Sequence, residues 1–139
     1  MYETDVSIRL HQTDAAGVLF FGNYFYVAHD VYEQYMQSIG FDFRTIINES
    51  SYLILIVHAE GDFHKPVYVG DTVLVAMSAL KIGHTSFELV YRLMPTNSPQ
   101  AVEKQDIATV RTVHVAVDKE SGRPVPLPER LKTGLEKLL

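Results

Sequence analysis

The sequence predicts an α+β chain in which a curved antiparallel sheet of about five strands wraps around one long central helix. Three features lead there. From Tyr24 onward the apolar residues Tyr24, Ala28, Val31, Tyr35 and Ile39 recur every three or four positions, the period of one helix face. The segments on either side alternate instead, in runs rich in β-branched and aromatic residues, which is the pattern of strands. Short turns separate most of those runs, and strands joined by short turns pair antiparallel.

Thr4 to Leu10 places Val6, Ile8 and Leu10 on one face of a first strand. Thr13 to Gly22 cannot be regular structure, because an aspartate, two alanines and a glycine precede a short apolar run that Gly22 and Asn23 end. Phe25, Val27, Tyr32 and Met36 add a second apolar set to the helix, so it is expected to be buried over most of its circumference. Asn23 is a natural helix cap, and Gly40 supplies the stop. One or two helical turns are expected before the polar cluster Asn48 to Ser51.

Tyr52 to Phe63 reads as a strand, with Leu53, Leu55, Val57 and Ala59 on one face and Ile54, Ile56, His58 and Glu60 on the other. Pro66, Gly70 and Asp71 mark a turn. Thr72 to Ile82 and Thr85 to Met94 form a hairpin around Gly83 and His84, the second strand presenting Phe87, Leu89, Tyr91 and Leu93 together. Pro95 to Gln100 is a loop. Gln105 to Asp118 is a last strand in which Arg111 falls on the face of Val113, Val115 and Val117, so a bulge near Arg111 is expected. Pro128 opens a short amphipathic helix to Leu139.

At 139 residues, 47% hydrophobic and 21% charged, the chain can build a core of its own, and a single domain over 1–139 is expected. The net charge of −5 argues against a nucleic-acid partner, whose phosphates call for a basic surface. The absence of cysteine removes disulfides, thiolate nucleophiles and thiolate metal sites. The histidines show no metal-ligand spacing, so no metal is expected. The N-terminus is acidic and alternating, unlike a signal peptide. The longest apolar run, Tyr52 to Val57, falls far short of the roughly 20 residues of a membrane helix, so a cytoplasmic protein with no membrane partner is expected.

Asp14 therefore sits on a tight loop leading into a helix whose first exposed amides lie around Phe21 to Tyr24. An ionised acid stands beside a ready-made site for developing negative charge. Asp14 can equally serve as a loop aspartate bonding nearby amides.

The segment DAAGVLFFGNYF, the following helix, the turn KPVYVGD and the late strand ending in AVD resemble the hotdog-fold acyl-CoA thioesterases of the 4-hydroxybenzoyl-CoA thioesterase type. More narrowly, RLHQTDAAGV, HDVYEQ, IVHAEGDFHKPVYVGD, TVRTVHV and PVPLPE are similar to the 1,4-dihydroxy-2-naphthoyl-CoA thioesterases of cyanobacterial phylloquinone biosynthesis. The resemblance implies a hotdog fold and a homodimer or homotetramer with active sites at the subunit interface. It implies no cofactor, coenzyme A being part of the substrate. The family's catalytic aspartate matches Asp14, and the backbone amide that polarises the thioester carbonyl matches Phe21. The sequence lacks the paired histidine and acid motifs of the acyl-carrier dehydratases, and the helix-borne glutamate of the second aryl-CoA thioesterase type is not apparent.

Thioester hydrolysis needs an attacking group and help for the oxyanion; thiolate leaves well, so a strong general acid is dispensable. Asp14 can be general base or direct nucleophile, and the Phe21 N–H holds the oxyanion. Gly17 allows a turn or close approach of a ligand. Gly17, Gly22, Tyr24 and His58 are candidate substrate-binding positions, against structural roles for the glycines, a core role for Tyr24 and a core or interface role for His58. Lys65, Lys81, His84 and Arg111 are candidates for the CoA phosphates, against the plain reading of solvated charges. Glu33 and His29 lie four apart and can pair with each other. Three functions follow: an aromatic acyl-CoA thioesterase, with 1,4-dihydroxy-2-naphthoyl-CoA first by resemblance; a thioesterase for short or medium fatty acyl groups on CoA or a carrier protein; or a non-catalytic acyl-CoA-binding module. Asp14 beside the AAG turn favours the enzymes, since a binder has no need of an ionised acid there.

Overall fold

A computed structural model describes residues 1–96 and 106–139. Positions 97–100 of the expected loop and 105 of the expected last strand lie outside the described residues. Five strands, β1 (Tyr2–Ser7), β2 (Tyr52–Phe63), β3 (Thr72–Ile82), β4 (Ser86–Pro95) and β5 (Ala108–Asp118), form one antiparallel sheet in the order β1-β3-β4-β5-β2. Among the described residues three α-helices accompany it, α1 (Asn23–Ser38), α2 (Phe43–Glu49) and α3 (Glu129–Glu136). None is long and apolar enough to cross a membrane.

Helix α1 packs against β1, β2, β3 and β5. It buries Tyr24, Val27, Ala28, Val31, Tyr32, Tyr35 and Met36. Burial over most of its circumference was expected, but the helix keeps an exposed stripe: Tyr26 is 71% exposed and shares it with Asp30, Glu33, Gln34 and Gln37. The helix ends as its sequence dictates. Gly40 takes φ 86° and Phe41 N–H reaches back to Met36 O at 2.8 Å. Asn23 is the first helical residue rather than the cap; its side-chain amide donates to Gln12 O at 2.7 Å and ties the helix to the preceding loop. In α2, Asp42 is the cap, accepting from Arg44 N and Thr45 N.

Alternation places Val73, Val75 and Met77 of β3, and Phe87, Leu89, Tyr91 and Leu93 of β4, in the core. Strand β1 begins and ends earlier than expected. Its ladder closes at Ser7 opposite Thr72, Ile8 is buried, and Leu10 starts a single 3-10 turn and is 73% exposed. In β5 the core face is Ala108, Val110, Thr112, His114 and Ala116, so Arg111 shares the outer face with Val113 and Val115 without any bulge. The two bulges lie elsewhere, at Val57 of β2 and Leu80 of β3. Val57 as an extra residue reverses the facing of everything after it, so His58 pairs with Val113 on the outer face.

The sheet has two different edges. β1 is short and carries Glu3 and Asp5, a charged edge that discourages pairing. β2 is twelve residues long and exposes Leu55 (46%), Ile56 (44%) and Val57 (60%). An unpaired, apolar edge of that length is a pairing surface.

Candidate active site

The loop before α1 is a small folded unit. Asp14 and Val18 join through Asp14 N–H to Val18 O at 2.9 Å, Thr13 bridges to Leu19, and Phe20 N–H donates to Gln12 O at 3.1 Å. The Asp14 carboxylate organises the turn: its Oδ1 accepts from Ala16 N at 2.9 Å and Val18 N at 3.2 Å. Both bonds fall on Oδ1. Oδ2 accepts none from the described residues, and Asp14 is exposed. One oxygen fixes the loop while the other is available for chemistry.

Gly17 turns this loop with φ 74°. Its carbonyl accepts from Val69 N at 2.9 Å, which docks the loop on the turn before β3. A Cβ at Gly17 would meet Val69 Cγ1 at 3.8 Å, an ordinary contact, so a substitution costs through the backbone alone. Gly17→Ala should therefore lower stability by about 1–2 kcal/mol. It should also lower kcat more than it raises KM, because the strained turn is the one Asp14 holds. Thermal melting and steady-state kinetics check this; a variant unchanged in both would mean the left-handed turn is dispensable.

Phe20 O accepts from Asn23 N at 2.8 Å and Phe21 O from Tyr24 N at 3.3 Å, but the amides of Phe21 and Gly22 donate to no acceptor among the described residues. Both stand at the N-terminus of a 16-residue helix, where the helix dipole favours negative charge. Gly22 is the N-cap, and a Cβ there would press on the Phe20 ring at 3.2 Å. Beside these amides a cavity of about 280 Å³ is lined by Leu19, Phe21, Tyr24, Phe63, His64, Lys65 and Pro66. Tyr24 is 3% exposed with its ring 4.7 Å from that of Phe63, and burial pushes its phenol above the ordinary value, so it remains protonated.

Of the residues expected from sequence, the structure thus brings Phe21, Tyr24 and Lys65 to one cavity, with Gly22 next to Phe21 at the helix start. It does not bring His58, which faces outward. His58 bonds Glu60 at 2.8 Å and, with Arg111, holds that carboxyl below its usual value. Arg111 is engaged by Glu88 at 2.7 Å and Glu60 at 3.4 Å, an arrangement that satisfies its charge without a phosphate. Lys81 lies at the far end of β3 and His84 just past it, while the start of the strand adjoins the loop. Eleven strand residues separate the two ends by roughly 35 Å. His29 and Glu33 pair at 3.3 Å. Phe63 and His64 line the cavity although the sequence does not mark them as site candidates. The signal for them was their place immediately before the Lys65–Pro66 turn, where an edge strand ends at the loop.

Residues 8–135 match the thioesterase-like superfamily. The chain is 35% identical over 130 residues to the 1,4-dihydroxy-2-naphthoyl-CoA hydrolase of Rippkaea orientalis, covering 94% of this chain and 91% of that protein. It is 33% identical over 136 residues to the hydrolase of the same name from Synechococcus elongatus, covering 97% and 95%. Among solved structures, a 1,4-dihydroxy-2-naphthoyl-CoA thioesterase from Synechocystis superposes with a TM-score of 0.89 at 26% identity, over 99% of this chain and 96% of that one.

Proposed function

The chain belongs to the thioesterase-like superfamily of hotdog proteins, and on that premise we propose that it hydrolyses 1,4-dihydroxy-2-naphthoyl-CoA to 1,4-dihydroxy-2-naphthoate and coenzyme A. The observation that carries the reading is chemical. An exposed carboxylate stands on a loop that ends at two helix-start amides, and among the described residues one carboxylate oxygen and both amides have no hydrogen-bond partner. An acyl-CoA-binding module would need the amides but not the acid.

The thioester carbonyl oxygen is received by Phe21 N–H, with Gly22 N–H as a second donor in reach of the same helix terminus; one such donor is worth about 3–4 kcal/mol in the transition state. Asp14 then acts in one of two ways. As nucleophile, its carboxylate oxygen bonds to the carbonyl carbon, the C–S bond breaks with its electron pair leaving on the CoA thiolate, and water hydrolyses the resulting anhydride. As base, Asp14 takes a proton from a water whose oxygen bonds to the same carbon, and the C–S bond breaks with its electron pair leaving on the CoA thiolate, which that proton then neutralises. Both routes balance without metal or cofactor, coenzyme A being part of the substrate. The apolar walls from Leu19, Tyr24 and Phe63 suit an aromatic acyl group, and Lys65 and His64 at the rim suit the anionic arm of CoA.

The working form in this reading is a homodimer, active in the cytoplasm, joined by antiparallel pairing of β2 with its copy. The exposed run Leu55 to Val57 on an unpaired edge supports this. A panel from acetyl-CoA through benzoyl-CoA to 1,4-dihydroxy-2-naphthoyl-CoA tests the function, and sedimentation of the native chain beside Leu55→Lys/Val57→Lys tests the assembly. We expect naphthoyl preference and an active native dimer, with an inactive monomer for the double variant. Turnover of fatty acyl-CoA alone would discard the substrate, and an active native monomer would discard the assembly.

A further inference from the structure

The cavity beside Phe21 is open to solvent. Phe21, just before α1, remains 61% exposed, and Phe63, the last residue of β2, 42% exposed, and both line it. A hydrophobic acyl group bound there alone would keep much of its surface in water. The opposite end of β2 carries a complementary feature. Helix α2 lies in the same layer as α1, with the Phe43 ring 5.5 Å from that of Tyr32, Ile46 in the core, and the helix packed on β2. Next to Ile46, Ile47 is 58% exposed, an apolar residue among the exposed polar side chains Arg44, Thr45, Asn48 and Glu49.

A single exposed isoleucine is ordinary on a protein surface. Two further facts set this one apart. The helix that carries it is held at both ends, by the Asp42 cap and by Lys119 Nζ donating to Ile47 O. Its place in the topology is the second. Within one chain α2 precedes the start of β2 and Phe63 ends it, and the strand between is about 40 Å long for twelve residues. Antiparallel pairing of β2 with a two-fold copy reverses that separation, because the start of each strand comes beside the end of the other. The helix layer beyond the Phe63 edge is then filled by the partner's α2.

We propose that Ile47 of the second copy closes the acyl pocket beside Phe21 and Phe63, so that the size of acyl group accepted is set in trans. The inference rests on the hydrolytic dimer described above and adds to it a specificity-determining residue. Each active site then takes its aspartate and amides from one chain and its far apolar wall from the other.

The test separates action in trans from a structural role. Ile47→Ala should keep the melting temperature, since the side chain is exposed. It should lower kcat/KM for 1,4-dihydroxy-2-naphthoyl-CoA by about tenfold, the scale of lost contact in an apolar pocket, while leaving acetyl-CoA turnover nearly unchanged. Ile47→Glu should all but abolish naphthoyl turnover. Chains carrying Asp14→Asn and chains carrying Ile47→Glu are then co-expressed with different affinity tags, and the heterodimer is isolated through both. Action in trans leaves one site wholly native, so the heterodimer recovers about half the native rate although each parent is nearly inactive. A heterodimer no more active than the mean of its parents overturns the inference and leaves the thioesterase reading intact. A native chain that hydrolyses no aromatic acyl-CoA overturns the reading itself, and the inference with it.

Discussion

Asp14→Asn should keep the fold and remove turnover, with kcat falling by about 10²–10⁴-fold. The fold survives because the carboxylate's structural bonds, from Ala16 N and Val18 N, both fall on one oxygen, and the amide oxygen of asparagine can accept the same two. What disappears is the negative charge. An amide neither takes a proton from water at neutral pH nor attacks a thioester, so both routes open to Asp14 close together. The amides of Phe21 and Gly22 are untouched, and substrate should still bind with a KM near the native one. Kinetics beside a thermal melt decide the matter: unchanged melting with a fall in kcat of less than threefold would show that another group performs the attack. A single-turnover reaction in oxygen-18 water separates the two routes, since label entering Asp14 marks direct attack.

The second large effect concerns stability in acid and centres on His114. Its ring is 1% exposed, lies parallel to Phe87 at 4.7 Å, touches Tyr32, and bonds Thr112 Oγ1 through Nε2 at 2.8 Å. Its Nδ1 and the Tyr32 hydroxyl have no partner among the described residues. Burial first, and the neighbouring His29 second, push the imidazole down to about 3 from the ordinary 6.5. The native state therefore keeps this ring neutral where the unfolded chain protonates it. Between those two values the unfolded state binds one more proton, so stability rises with pH and is lost as pH falls from about 6.5 toward 3. The loss reaches several kcal/mol on the order of the shift, a large share of an ordinary domain's total stability. Urea unfolding at pH 7 and pH 4.5 should show the native chain weakening steeply, and His114→Gln, which cannot titrate, weakening far less. Parallel loss in the two proteins would place the acid sensitivity on other groups.

The candidate site was legible where its information is local. Asp14, Gly17, Phe21 and Gly22 lie within nine consecutive residues, and a tight turn running into a helix start is set by neighbouring side chains and by glycine's access to positive φ. Lys65 was also found, because the turn that holds it is marked by proline and glycine. His58 was misplaced by a single residue: strand periodicity is two, so the extra Val57 turns it from the helix side to the outer face. Arg111 was misjudged for the same reason in reverse, since β5 runs without a bulge and the arginine simply faces out, where Glu88 and Glu60 meet it.

The sequence by itself determined the element types, their order, the antiparallel hairpin and the loop chemistry around Asp14, because apolar period, turn residues and caps act between residues a few positions apart. The tertiary structure decided which face each strand presents, which end of the sheet each charge occupies, and that β2 rather than β1 is the long open edge. Those depend on register between segments far apart in the chain, where one inserted residue reverses every side chain after it. Lys81 and His84 sit at the end of β3 away from the loop for the same reason: nothing near them in sequence says toward which end of the sheet their strand runs.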